Sequence, residues 1–200
     1  MNKGLTRLRV TCAAALVLAL GGCAKTPAPP PPLQGARIGG PFVLTDQDGK
    51  RFDSRSLAGR YLVVYFGYTF CPDACPTDMQ VLGRAMRQLD AHDPAKSAKV
   101  QPIFISVDPA RDRPAALKQF VGAFYSRLIG LTGSDAQIAA VAKNYAVAYS
   151  KQPAPQGGEG YLMDHPRVAM LFGPDGKPIA LLPVDANAEQ VVAELEKWVA

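Results

Sequence analysis

Tyr61-Leu62-Val63-Val64-Tyr65-Phe66-Gly67-Tyr68-Thr69-Phe70-Cys71-Pro72-Asp73-Ala74-Cys75-Pro76 decides how this chain is read. Its first six residues are aliphatic or aromatic, the composition of a β-strand. The strand stops at Gly67, and the chain passes two cysteines and two prolines before a helical pattern begins. Cys71 and Cys75 have a C-x-x-x-C spacing, one residue wider than the redox C-x-x-C. The extra residue sets the sulfurs about one helical turn apart, where they can share a metal or close a disulfide. With Cys71 in the loop and Cys75 in the first helical turn, free N–H groups and the helix dipole point at the sulfurs and favour thiolate. Pro72 and Pro76 stiffen the loop and remove two backbone donors. A third donor of metal-ligating type, His165, stands in Tyr161-Leu162-Met163-Asp164-His165-Pro166.

Outward from this segment, further strands are expected at Phe42–Thr45, Val100–Val107, Leu128–Leu131, Val147–Ser150, Val168–Phe172 and Ile179–Pro183. Helical patterns follow Cys75 to about Ala91, Arg113 to about Tyr125, Asp135 to about Tyr145, and Asn187 to the C-terminus. Ser134 or Asp135 caps the third helix, and Asn187 with Glu189 and Gln190 opens the last. Gly173-Pro174-Asp175-Gly176 is a turn between two apolar strands, hence a hairpin. Alternating β and α elements, then a hairpin and a closing helix, predict one α/β domain over residues 38–200. A central mixed sheet flanked by helices, a thioredoxin-like fold, is the expected architecture.

The N-terminus reads differently. Residues 1–22 have the form of a lipoprotein signal peptide: Lys3, Arg7 and Arg9 precede an apolar run, Val10 to Leu20, too short to span a bilayer. Leu20-Gly21-Gly22-Cys23 resembles a lipobox, which makes Cys23 the lipidation site; an uncleaved signal anchor is the alternative. Residues 23–37 then carry five prolines and no hydrophobic pattern, a linker expected to reach roughly 30–40 Å when extended. The expected location is the bacterial cell envelope, with the domain in the periplasm and a lipid anchor in the membrane. Removing Lys3, Arg7 and Arg9 with the signal lowers the formal charge of +5 by three. With no dense Lys/Arg stripe elsewhere, the composition gives no case for nucleic acid as a partner.

Processing also simplifies the cysteines. Cys12 falls in the signal and Cys23 is acylated, so Cys71 and Cys75 remain with no second pair for a structural framework. A plain structural disulfide closing this short loop would add little entropic stabilisation. Of the two histidines, His92 sits among turn residues and reads as solvated. His165 lies before a strand whose leading loop faces the cysteine loop in thioredoxin-like folds. Two thiolates and one imidazole suit Cu(I), and hold Cu(II) with a further donor, whereas structural zinc favours four protein ligands. Met79 reads as helix core, Met163 as a residue whose loop faces the metal, and Asp73 as solvated. Ser106 to Pro114 resembles an acidic loop neutralised by Arg111 and Arg113. Rival readings are a thiol–disulfide reductase without metal, for which His165 has no use, and a passive module with a structural disulfide. A peroxidase fits poorly, because Tyr68 stands where peroxiredoxins carry Thr or Ser.

Gly67 to Pro76, Ser106-Val107-Asp108-Pro109-Ala110-Arg111-Asp112-Arg113-Pro114, Asp164-His165 and Gly173-Pro174-Asp175-Gly176 together resemble the SCO/SenC family, in order and spacing, over nearly all of residues 38–200. The resemblance implies a copper chaperone that assembles the copper A centre of cytochrome c oxidase, or acts as a thiol reductant for that subunit, reducing its disulfide to thiols. It implies Cys71, Cys75 and His165 as copper ligands, a reversible Cys71–Cys75 disulfide, and Asp108 and Asp164 as acidic groups beside the site. The implied partners are the oxidase copper A subunit, a periplasmic copper donor and a thiol reductant. Phe70 departs from the His common before the first Cys, and Pro166 from the hydroxyl residue common after the His.

Overall fold

The computed structural model, which describes residues 29–153 and 160–200, follows the expected alternation of strands and helices. In chain order the elements are β1 (Val43–Asp46), β2 (Arg51–Asp53), a 3-10 turn (Ser54–Leu57), β3 (Tyr61–Gly67), α1 (Ala74–His92) and α2 (Pro94–Ser97). Then come β4 (Val100–Ser106), α3 (Pro114–Phe124), β5 (Ile129–Thr132), α4 (Asp135–Asn144) and β6 (Ser150–Pro153). The chain closes with β7 (Tyr161–Asp164), β8 (Ala169–Phe172), β9 (Pro178–Leu182) and α5 (Ala188–Trp198).

A seven-stranded mixed sheet runs β2-β1-β5-β4-β3-β8-β9, the central layer of a thioredoxin-like fold. β3 lies parallel to β4 and antiparallel to β8, so it is covered on both edges as well as both faces. That position explains why its sequence is apolar without alternation. Its side chains still divide by parity. Tyr65 stacks on Phe104, which meets Phe120 of α3, while Phe66 turns to Tyr145 beyond α4, which also meets Phe172. Helices thus cover both faces of the sheet.

Local signals did their expected work. Ser134 and Gln137 form a reciprocal capping box on α4, and the Asn187 side chain accepts from Gln190 N–H at 2.9 Å on α5. The β8–β9 turn closes with Gly173 N–H donating to Lys177 O at 2.8 Å, and Gly176 takes φ +76° there, a conformation that favours glycine.

Several expectations are corrected. The strand placed at Val147–Ser150 begins only at Ser150. Ala146 adopts φ 54° and Val147 N–H returns to Ala142 O at 2.8 Å, which keeps buried Val147 wrapped on the end of α4. β2 and β7 were not expected. β2 is short and polar, but Asp48-Gly49 supplies the hairpin turn that pairs it with β1. β7 pairs with β6 as a separate two-stranded ribbon. The linker expected to stay extended to residue 37 instead turns between Pro31 and Ala36. Leu33 N–H donates to Ile179 O of edge strand β9 at 3.0 Å, giving an otherwise unpaired edge carbonyl a partner. Residues 31–36 are therefore not part of an extended linker. The segment 1–22 expected as a signal peptide, Cys23 expected as the lipidation site, the first part of the expected linker and Gly157 and Gly158 lie outside the described residues. Among the described residues, no helix is long and apolar enough to cross a membrane.

Candidate metal centre

β3 ends at Gly67 and delivers the chain to the cysteine loop beside the N-terminus of α1. Gly67 is required by packing, since a Cβ there would stand 2.8 Å from Tyr65 Cε1, 2.9 Å from Phe104 Cε2 and 3.0 Å from Cys75 Sγ. Asp73, at the N-cap position of α1, makes no capping hydrogen bond with its side chain. Cys71 takes that role: its Sγ accepts from Cys75 N–H at 3.3 Å. The helix start therefore holds a sulfur where a capping oxygen usually sits.

His165 arrives from the connection between β7 and β8, and its Nε2 lies 3.3 Å from Cys75 Sγ. The ring packs edge-on against Tyr65 and Tyr68, with centroids 6.1 and 5.9 Å away. Its Nδ1 is 3.2 Å from the carbonyl of Pro166. A carbonyl only accepts, so this contact calls for Nδ1–H and leaves the neutral ring's lone pair on Nε2, toward the sulfur. That is the tautomer a metal-binding imidazole needs at Nε2.

Cys71 and Cys75 are both free thiols here, the reduced form of the pair. Their acidities diverge. The hydrogen bond from Cys75 holds the Cys71 thiol down to about 3, with His165 and the N–H groups of Cys75 and Asp73 adding to it against a burial penalty. Cys75 moves the opposite way: the neighbouring Cys71 sulfur, then burial, push its pKa up. The opposite shifts favour the thiolate at half-buried Cys71 and the thiol at buried Cys75. Burial likewise lifts the Tyr68 hydroxyl to about 12.

Three polar networks fix these donors, and sequence reasoning anticipated little of them. Buried Asp112 accepts from Thr69 N–H at 2.9 Å, Thr69 Oγ1 at 2.7 Å and Ser106 Oγ at 2.6 Å, fastening the loop two residues before Cys71. It is not neutralised by arginine, contrary to the acidic-loop expectation, and burial raises its pKa. Buried Asp108 instead pairs with Arg111 and accepts from Tyr161 Oη at 2.7 Å. Arg111 stacks 3.7 Å over the Tyr161 ring, lies 5.0 Å from the Phe70 ring and donates to Tyr161 O, joining the cysteine loop to β7. Asp78, one turn beyond Cys75, accepts from Tyr65 Oη at 2.8 Å and from Arg167 Nη2 at 2.6 Å.

The structure thus brings Cys71, Cys75 and His165 together, while Asp108 reaches the cysteine loop only through Arg111 and Tyr161. Asp164 is exposed beside His165, on β7. Met79 is core, as expected. Met163 is buried on β7 rather than carried on a loop. Asp73 is exposed, and His92 has an 80% exposed side chain. Phe70, the departure before Cys71, is 56% exposed. Among the described residues no three His, Cys, Asp or Glu side chains already stand as an assembled metal cluster. One donor pair comes near the spacing a metal would need. With bonds of about 2.3 Å to sulfur and about 2.0 Å to nitrogen, a trigonal ion separates those donors by ~3.7 Å. The Cys75–His165 pair, at 3.3 Å, needs only a slight opening and loss of the Cys75 thiol proton.

Known proteins are similar to this chain over most of its length. The SCO1/SenC family model matches residues 30–200. The mitochondrial protein SCO2 of Saccharomyces cerevisiae is 41% identical over 145 residues, 72% of this chain and 47% of that protein. The chain spans about half the length of that relative and of the yeast mitochondrial SCO1, of which 46% is covered. Among solved structures, Bradyrhizobium japonicum ScoI with copper bound superposes with a TM-score of 0.71 and 38% identity, over 80% of this chain and 99% of that one. BsSco, described as a Sco-family cytochrome c oxidase assembly protein with a disulfide switch, gives 0.61 and 26% over 79% and 91%. The chain belongs to the SCO1/SenC family.

Proposed function

We propose that this chain is a copper chaperone of the bacterial cell envelope, carrying copper on Cys71, Cys75 and His165 to the copper A site of cytochrome c oxidase. One observation carries the reading: two sulfurs at a helix start meet an imidazole from ninety residues away, with Nε2 3.3 Å from Cys75 Sγ. Two thiolates and a neutral imidazole are the soft donor set that Cu(I) prefers. The copper-bound Bradyrhizobium ScoI and the oxidase-assembly role stated for BsSco support the same cargo and destination. Asp108 acts through Tyr161 and Arg111, and Asp164 lies beside His165 as an exposed acidic group. A Cys71–Cys75 disulfide is the alternate state, which withdraws two of the three donors. Lipid at Cys23 and the residues before Pro31 tether the domain to the membrane. A copper donor and a thiol reductant in the periplasm complete the cycle.

A second reading, thiol–disulfide reduction, has its own support. Cys71 is the low-pKa, accessible thiolate and Cys75 the buried thiol, an attacking and resolving pair. A paired assay on a soluble copper A domain separates the two: copper transfer to it, and reduction of its disulfide. His165→Ala is expected to lose transfer and keep reduction, because thiolate attack on a disulfide needs no imidazole. Normal copper transfer by that variant would refute the three-donor chaperone.

A further inference from the structure

His165 lies on a four-residue connection between β7 and β8, and its own polar contacts are local or to the two cysteines. Something else must hold it at the distance observed. Arg167, two residues on, reaches back to α1. Its Nε stands 3.2 Å from Asp78 Oδ2 and its Nη2 2.6 Å from Asp78 Oδ1, a two-pronged pairing. The Asp78 side chain is fully buried, while that of Arg167 is 46% exposed. Asp78 follows Cys75 by three residues on α1, so the two share a helix face. Asp78 also accepts from Tyr65 Oη at 2.8 Å, and the Tyr65 ring is one of the two against which His165 packs.

We propose that the Arg167–Asp78 pair positions His165: it ties the imidazole's loop to the helix that carries Cys75 and so sets the nitrogen–sulfur separation. The proposal deepens the copper reading above and rests on it for its metal arm. Its geometry is direct. One carboxylate bonds the strand before the cysteine loop, the helix after it and the loop bearing the imidazole. A buried carboxylate needs its partners, which gives the connection a single preferred arrangement. The guanidinium's fixed fork suits that task better than an ammonium, which would reach one oxygen at a time.

The consequence differs between oxidation states of copper. Cu(I) is held adequately by two thiolates, whereas Cu(II) needs the imidazole and is sensitive to its placement. Arg167→Met keeps the apolar stem and removes the fork. In the full chain purified in detergent, Cu(II) affinity is expected to fall about 10–100-fold, the usual scale for a lost outer partner, with Cu(I) stoichiometry unchanged. Arg167→Lys recovers part of the loss. A second measurement needs no metal: carbethoxylation of His165 in the reduced apo chain, read by mass spectrometry against exposed His92 as the internal standard. Arg167→Met is expected to speed modification of His165 several-fold and leave His92 unchanged. Asp78→Asn with Arg167→Gln, which leaves no unpaired buried charge, guards against misfolding and is expected to behave alike. Wild-type rates at His165 in both variants would overturn the proposal. A wild-type chain that binds no copper would sink the chaperone reading, while the carbethoxylation arm would still decide the positioning role.

Discussion

Asp112→Ala removes the acceptor that fastens the cysteine loop, and its cost follows from the hydrogen bonds lost. Three donors converge on that carboxylate: Thr69 N–H at 2.9 Å, Thr69 Oγ1 at 2.7 Å and Ser106 Oγ at 2.6 Å. The hydroxyls can rotate toward other acceptors, but the backbone N–H cannot. Leaving one such donor unmet costs about 1–3 kcal/mol, the lost hydroxyl bonds add to it, and release of a buried charge offsets part, for a net loss of about 2–3 kcal/mol. In a domain of this size that lowers the melting temperature by roughly 4–12 °C. Asp112→Asn should cost little. Its amide oxygen keeps the two bonds made to Oδ2, and its NH2 donates to a rotated Thr69 hydroxyl. Wild type and the non-titrating Asp112→Asn also differ in pH response. Burial raises the Asp112 pKa above its ordinary 3.8, so its contribution is full below that value and is lost as pH rises through the folded one. Wild type should therefore gain on Asp112→Asn as pH falls through that window. The assay is thermal unfolding of the reduced protein, residues 29–200, from pH 3 to pH 7. A melting temperature for Asp112→Ala within about 1 °C of wild type would refute the fastening role.

Other outcomes follow from the same geometry. Because Cys71 is held at about 3 and Cys75 is shifted upward, iodoacetamide should label Cys71 alone, at a rate nearly flat from about pH 5 to pH 8; equal labelling of both, tracking an ordinary thiol, would contradict the assignment. Gly67→Ala places a Cβ 3.0 Å from Cys75 Sγ and closer still to Tyr65 and Phe104, so a loss of about 1–3 kcal/mol in urea unfolding is expected, together with altered Cys75 reactivity. Cys23→Ser should abolish labelling by a palmitate analogue while leaving the folded domain unchanged, since its elements begin beyond that residue; persistent labelling would favour a different anchor.

What the sequence disclosed follows a physical divide. The strand Tyr61–Gly67 and the helix after it were legible because an apolar run and a helical period are local patterns. Cys71 and Cys75 were legible because four residues of spacing at a helix start already restrict the chemistry. His165 needed the fold as well, since only topology brings it to Cys75. The supporting carboxylates were hidden for a related reason. Asp78 in a helix and Asp112 in an Asp- and Arg-rich turn look solvated until tertiary packing buries them and supplies Tyr65, Arg167, Thr69 and Ser106. The end of the linker reads as extended because four prolines, Pro29 to Pro32, precede Leu33, whereas the Leu33 N–H finds an edge strand.

The central claim, that copper is held through both the Cys71 and Cys75 sulfurs, is tested most directly by anaerobic Cu(I) titration of residues 29–200 in the reduced and oxidised forms. Starting at residue 29 keeps the Leu33 contact to β9. The account predicts one copper per reduced chain and essentially none after oxidation, because a Cys71–Cys75 disulfide removes both thiolates. Equal copper retention by the two forms after desalting would contradict it.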